Sequence, residues 1–207
     1  MMQSFVAEVS AYYATLPWIE LTAVILAVAY LVLAIRQNIW CWFCAAVSTA
    51  IYVYLFVLAK LYMESLLNVF YFGMAIYGWA VWRNGKAGDE LPVSVWPVQI
   101  HLYAVSIIIC CTAASGFLLA TNTDAAYPYV DSATTFAAIW ATFLVARKVL
   151  ENWWFWLLID AVSVFIYWTR GLEATAMLFI VYIVLIPIGL AAWTRSYRGQ
   201  QPAAVPV

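Results

Sequence analysis

The group with the most chemical potential in this chain is a carboxylate, Asp160, set in the middle of the apolar run that starts at Asn152 and ends at Trp168. An ionised carboxylate at the centre of a membrane-spanning helix costs about 2.5 to 3.5 kcal/mol, so such a residue is expected to face a cavity or a partner. Asn152, Trp156, Asp160, Ser163 and Tyr167 follow at steps of four, four, three and four, which puts them on one face of a helix. Asp160 could belong to a buried hydrogen-bonded or ionic contact that fixes helix packing; a substrate or pathway role accounts better for the whole polar and aromatic stripe. A second set, Glu64, Asn68 and Tyr71, follows at steps of four and three. Asn68 would sit about 10 Å below the outer end of its helix, and Glu64 is read more simply as an interfacial charge. Tyr182 is expected at the depth of Asn68. Trp153 and Trp156 begin a helix, and Trp156, which shares the stripe, has the better claim to the interior.

Carboxylate, amide, hydroxyl and aromatic groups together suit a flat, cationic organic solute, because rings stack on rings and a cation is attracted to an aromatic face. Other chemistries fit less well. Cys41 and Cys44 form a CxxC, but Cys110 and Cys111 are adjacent within another apolar run and His101 is the only histidine, so no metal site or cofactor is expected. A membrane-embedded enzyme using Asp160 as acid or base would need partners that the sequence does not supply, and a scaffold subunit would leave the polar stripe unexplained. Nothing points to a nucleic-acid partner, and a homo-oligomer is left open.

The elements that must hold these groups follow from composition. The chain has 207 residues, 68% hydrophobic and 9% charged, far more apolar surface than a soluble domain of this size buries. Seven runs come near the roughly 20 apolar residues needed to cross a bilayer as a helix: 17–35, 39–58, 61–82, 97–120, 131–146, 152–168 and 172–193. The fifth and sixth are short. The runs are too long and too uniformly apolar for barrel strands, so the expectation is an all-α membrane protein with seven transmembrane helices. Short connections group them as a first three-helix bundle (17–82), a linking helix (97–120) and a second three-helix bundle (131–193), a 3+1+3 layout. Arg36, Arg83, Lys86, Arg147, Lys148, Arg195 and Arg198 fall on one side and only Lys60 and Arg170 on the other, which places the N-terminus outside and the C-terminus in the cytoplasm. Residues 1–16 lack a basic n-region, so the first segment is expected to be retained. Phe5, Val6, Val9, Tyr12 and Tyr13 read equally as an interfacial helix or a disordered tail.

The sequence also repeats. Asn38, Trp40 and Trp42 recur as Asn152, Trp154 and Trp156, an offset of 114 that carries Trp79 onto Trp193 and also matches Ala23 with Ala137, Ile25 with Ile139, Ala27 with Ala141 and Leu58 with Leu172. This register sets Asp160 opposite Ala46 and Tyr182 opposite Asn68. One intervening helix returns the chain to its starting side, so the triplets are expected to be parallel repeats with a substrate site between the copies, the build of a small transporter. Trp18, Trp40, Trp79, Trp82, Trp96 and Trp193 lie near helix ends and read as interfacial anchors.

RQNIWCW (Arg36 to Trp42), AKLYMESLLNVFY (Ala59 to Tyr71), YGWAVW (Tyr77 to Trp82) and ARKVLENWWFW leading to Asp160 resemble the PnuC family of bacterial vitamin transporters, over about residues 18 to 195. The resemblance implies a 3+1+3 parallel triple-helix-bundle fold similar in architecture to SWEET proteins, in a bacterial inner membrane. It implies uptake of nicotinamide riboside by facilitated diffusion, with intracellular phosphorylation trapping the product, a coupling to a cytoplasmic kinase that needs no physical contact. Thiamine is the alternative substrate and riboflavin a more remote one. The family's WxxW signature followed by Asn or Asp reads here as Trp153, Trp156 and Asp160, and Asn68 and Tyr71 are the matching positions of the third helix. With Ser163, Tyr167 and Tyr182 these form the expected substrate-binding set.

Overall fold

The computed structural model describes residues 2–58, 62–84, 91–123, 127–169 and 173–200, with side chains except at 2–17, 62–64, 167 and 173–175. Lys60, Lys86, Asp124 and Arg170, and the side chains of Glu64 and Tyr167, therefore lie outside the described residues. Among the described residues seven helices follow in order: α1 (Met2–Ile35), α2 (Trp40–Leu58), α3 (Tyr62–Arg83), α4 (Val98–Asn122), α5 (Pro128–Ala146), α6 (Asn152–Thr169) and α7 (Glu173–Gly199). Six are long and apolar enough to cross a membrane, and α6 contributes the shorter apolar segment Asn152–Ile166. At 1.5 Å per residue the 18-residue α6 is about 27 Å long, close to the roughly 30 Å of a hydrocarbon core.

Three boundaries differ from the expectation, and one of them is the end of α7, which continues past 193 to Gly199. Helix α5 starts at Pro128, before the acidic Asp131, because proline at the first helical position costs no hydrogen bond and its fixed φ is already helical. The N-terminal stretch is neither a separate interfacial helix nor a tail: the backbone stays helical from Met2 into the first apolar run.

The chain divides into two compact units, Met1–Arg83 and Asn84–Val207. In the first, α2 packs on both α1 and α3. The Ser48 hydroxyl donates to the Ala23 carbonyl at 2.8 Å, tying α2 to α1, and the Ser65 hydroxyl donates to the Val53 carbonyl at 3.2 Å, tying α3 to α2. Trp42 is 2% exposed; its ring lies on Gly78, where any Cβ would overlap it, and meets Trp82 edge-on at 5.5 Å and 87°. Between apolar helices in lipid, hydrophobicity does not favour one apolar partner over another, so close approach at small residues sets the packing.

In the second unit α4 packs on α5, α5 on α6 and α6 on α7, so the linking helix belongs with the second triplet. Gly116 admits the Tyr129 ring between α4 and α5. Trp153, 3% exposed, lies on Gly189 and meets Trp193 edge-on at 5.5 Å and 88°. The strand-like segment before α4 is pinned to the α5–α6 connection: the Ser94 N–H donates to the Lys148 carbonyl, the Leu150 N–H donates to the Ser94 carbonyl, and the Trp96 N–H donates to Glu151 Oε1.

Trp42, Gly78 and Trp82 reappear as Trp153, Gly189 and Trp193, each 111 positions later. The helix ends obey the same offset. After α1, the Asn38 N–H reaches the Leu33 carbonyl and the Gln37 N–H reaches the Ala34 carbonyl; after α5, the Val149 N–H reaches Leu144 and the Lys148 N–H reaches Val145. Both are Schellman closures, and both put a non-glycine residue in the left-handed region, Gln37 at φ 55° and Lys148 at φ 49°. Pro17 with Pro128, Arg36 with Arg147, Ala50 with Ala161 and Tyr71 with Tyr182 keep this offset without an insertion.

The register of 114 is thereby corrected to 111. A slip of three residues turns a helix by about 300°, nearly a full turn, so a face pattern survives it. The clustered tryptophans near positions 40 and 154 match in either register. Packing separates the two. It also corrects Trp82, 6% exposed, and Trp193, fully buried, from interfacial anchors to core residues, whereas Trp18 and Trp40 are 70% and 56% exposed.

Candidate substrate site

Helix α6 enters through a buried amide. Asn152 is fully buried, and its Nδ2 donates to the Val149 carbonyl at 2.6 Å, closing the turn that links α5 to α6, while Oδ1 has no partner. Its place at the foot of the stripe is thus a structural one. One turn on, Trp156 is half-buried and keeps ring surface available. Asp160 is 4% exposed and Ser163 8% exposed, both on the buried side of α6. No hydrogen bond or ion pair joins Asp160 to any described residue. A carboxylate so enclosed without a cation or donor is a poor packing element, because unpaired burial of charge is unfavourable. The same observation makes it a good acceptor for a solute that brings its own positive charge.

At the corrected register the residue equivalent to Asp160 is Thr49, and that equivalent to Trp156 is Ala45. The Thr49 hydroxyl donates within its own helix, to the Ala45 carbonyl at 2.8 Å and the Ala46 carbonyl at 3.2 Å. The charge and the half-buried indole are therefore peculiar to the second unit, while Tyr71 and Tyr182 are equivalent to each other. Tyr182, on α7, is half-buried and meets Phe179 edge-on at 5.7 Å. In the first unit Asn68 and Tyr71 of α3 are both half-buried, and Tyr71 lies 5.8 Å from Phe70. The position equivalent to Asn68 is Phe179, so the amide is peculiar to the first unit.

Among the expected residues the structure thus places Trp156, Asp160 and Ser163 together on α6, with Tyr182 on the helix that α6 packs against, and Asn68 and Tyr71 together on α3. Trp153 lies on α6 but has its ring enclosed by Gly189 and Trp193. The glycine seats of Trp42 and Trp153 are not evident from the tryptophan motifs alone. Gly78 and Gly189, each four residues before a tryptophan, were the available signal.

Among the described residues no group of three or more His, Cys, Asp or Glu could hold a metal ion. Cys41 is buried, and neither it nor Cys44, Cys110 or Cys111 forms a disulfide. The His101 ring rests against Trp140 and Phe155, with neither nitrogen partnered.

Comparison with known proteins places the chain among membrane transporters. The nicotinamide riboside transporter PnuC of Escherichia coli K12 is 25% identical over 209 residues, covering 88% of this chain and 87% of that protein. The riboflavin/roseoflavin transporter RibM of Streptomyces davaonensis is also 25% identical, over 192 residues and 89% of each chain. A crystal structure of the vitamin B3 transporter PnuC superposes with a TM-score of 0.71 at 20% identity, covering 97% of this chain and 92% of that one, which shows a shared fold. A family model described as nicotinamide mononucleotide transporter matches residues 17–195, and the chain accordingly belongs to that family of multi-pass membrane transporters.

Proposed function

We propose that this transporter carries a B-vitamin precursor with a ring cation, nicotinamide riboside ahead of thiamine, into the cytoplasm by facilitated diffusion. The observation that carries the reading is Asp160, buried on α6 with no cation paired to it among the described residues. The nicotinamide ring of the riboside is a cation, and the half-buried Trp156 one turn away offers it an aromatic face. Riboflavin, the cargo in the name of one relative, has a neutral ring system and gives Asp160 no counter-charge, so it ranks third. The mononucleotide of the family's description adds a phosphate that an unpaired carboxylate would repel. Asn68, Tyr71, Ser163, Tyr167 and Tyr182 supply amide and hydroxyl groups suited to a ribose.

The recurrence at 111 supports a duplicated 3+1+3 fold of parallel repeats, the layout of SWEET proteins. The basic residues on one side support an external N-terminus and a cytoplasmic C-terminus. Phosphorylation by a cytoplasmic kinase would keep inward flow downhill without contact between the two proteins. Proteoliposomes containing the purified protein should take up labelled nicotinamide riboside saturably, without ATP or an ion gradient, and thiamine more weakly. Saturable uptake of none of the three vitamins would overturn the proposal.

A further inference from the structure

Trp153 stands on the same side of α6 as Asp160, two turns away, a rise of about 10 Å. A tryptophan there invites a role in stacking on the cargo. Its surroundings argue otherwise. The six-membered ring lies where a Cβ on Gly189 would be, Trp193 closes it edge-on, and 3% of the residue is exposed. Its Nε1 is buried without a partner, so packing and not a polar contact holds the ring. The first unit contains the same arrangement: Trp42 on Gly78, Trp82 edge-on, and Nε1 again buried without a partner. There Thr49 and Ala45 stand at the positions of Asp160 and Trp156. The clasp is thus present on a helix that lacks the carboxylate and the half-buried indole proposed to hold the ring cation, as a packing device would be and a contact to that cation would not.

We infer that Trp153 is a positioning residue: the indole seated on Gly189 sets the rotation of α6 on α7, and so the direction of Asp160 and Trp156, without touching the cargo. This rests on the reading of α6 as a substrate helix.

The test uses the full-length purified protein, thermal unfolding, and binding of nicotinamide riboside. Gly189→Ala forces the ring off its seat, and overpacking of this kind should lower the midpoint by about 3 °C or more and weaken binding about tenfold. Trp153→Phe removes the atoms Cζ2, Cζ3 and Cη2 that the new Cβ would strike, and, since Nε1 has no partner, sacrifices no hydrogen bond. The double variant Trp153→Phe with Gly189→Ala should therefore recover both the midpoint and, to within about threefold, the affinity. Recovery of stability without recovery of affinity would mean that the indole touches the cargo and would overturn the inference. So would a Gly189→Ala protein indistinguishable from wild type. Gly78→Ala with and without Trp42→Phe should repeat the stability pattern. If wild-type protein binds none of the vitamins yet the stability pattern appears, the clasp stands and the transport reading falls.

Discussion

Asp160→Asn separates a cargo-binding carboxylate from a packing one, because the two roles give effects of opposite sign. The substitution keeps shape and removes charge. Asp160 is 4% exposed and has no described partner, so the empty protein should lose nothing and gain relief from a charge that costs about 2.5 to 3.5 kcal/mol in a spanning helix. For binding, two unit charges about 4 Å apart attract by about 4 kcal/mol at an effective dielectric of about 20. Desolvation of the cargo offsets part of this, leaving a net worth of about 1.5 to 3 kcal/mol for a hydrogen bond to a charged group. Affinity for nicotinamide riboside should fall by roughly 10- to 150-fold, while the unfolding midpoint rises or holds. Titration calorimetry with nicotinamide riboside and with its reduced form, which lacks the ring charge, provides the control. The reduced riboside should bind wild type and variant alike, to within about threefold. Equal losses for both ligands, or a fall in the midpoint, would refute the reasoning and return Asp160 to a structural role.

Trp156→Ala should weaken riboside binding by about tenfold or more, the order of a desolvated cation–π contact, whereas Trp18→Ala, at a residue 70% exposed, should leave affinity unchanged in the same titration. Ser48→Ala deletes a buried bond to the Ala23 carbonyl; it should cost about 1 kcal/mol and lower the midpoint by about 2 to 4 °C without altering the preference for cationic cargo. A reporter that fluoresces only in the cytoplasm should be bright when fused after the C-terminus. A dark fusion at normal expression would reverse the assigned orientation.

Much of this molecule was legible before any coordinates. Apolarity and run length are enough to imply a bundle of seven helices, since lipid leaves helices and closed barrels as the available solutions. Asp160 was legible for a related reason: charge inside such a run is costly, so it stands out against its neighbours. The helix boundaries followed to within a few residues, apart from the start of α5, the end of α7 and the long N-terminal extension of α1. The repeat register did not. Helical faces survive a slip of three residues, and a tryptophan-rich segment offers a match either way.

Nor could the sequence separate rings that meet lipid from rings that meet protein. In a soluble helix polar residues mark the outer face, but here both faces are apolar: Phe43, Leu158 and Phe165 are exposed while Trp82 and Trp193 are buried. Trp153 and Trp156, three residues apart in one signature, look interchangeable until Gly189 is seen beneath the first. Sequence by itself determined that this chain is a helical membrane protein with a carboxylate, Asp160, at the middle of one apolar run, because insertion energetics act residue by residue along the chain. Only the tertiary structure decided which aromatic residues form the core and which tryptophan sits on which glycine, because close packing depends on where a glycine lets a ring approach, and spacing along the sequence does not say which ring approaches it.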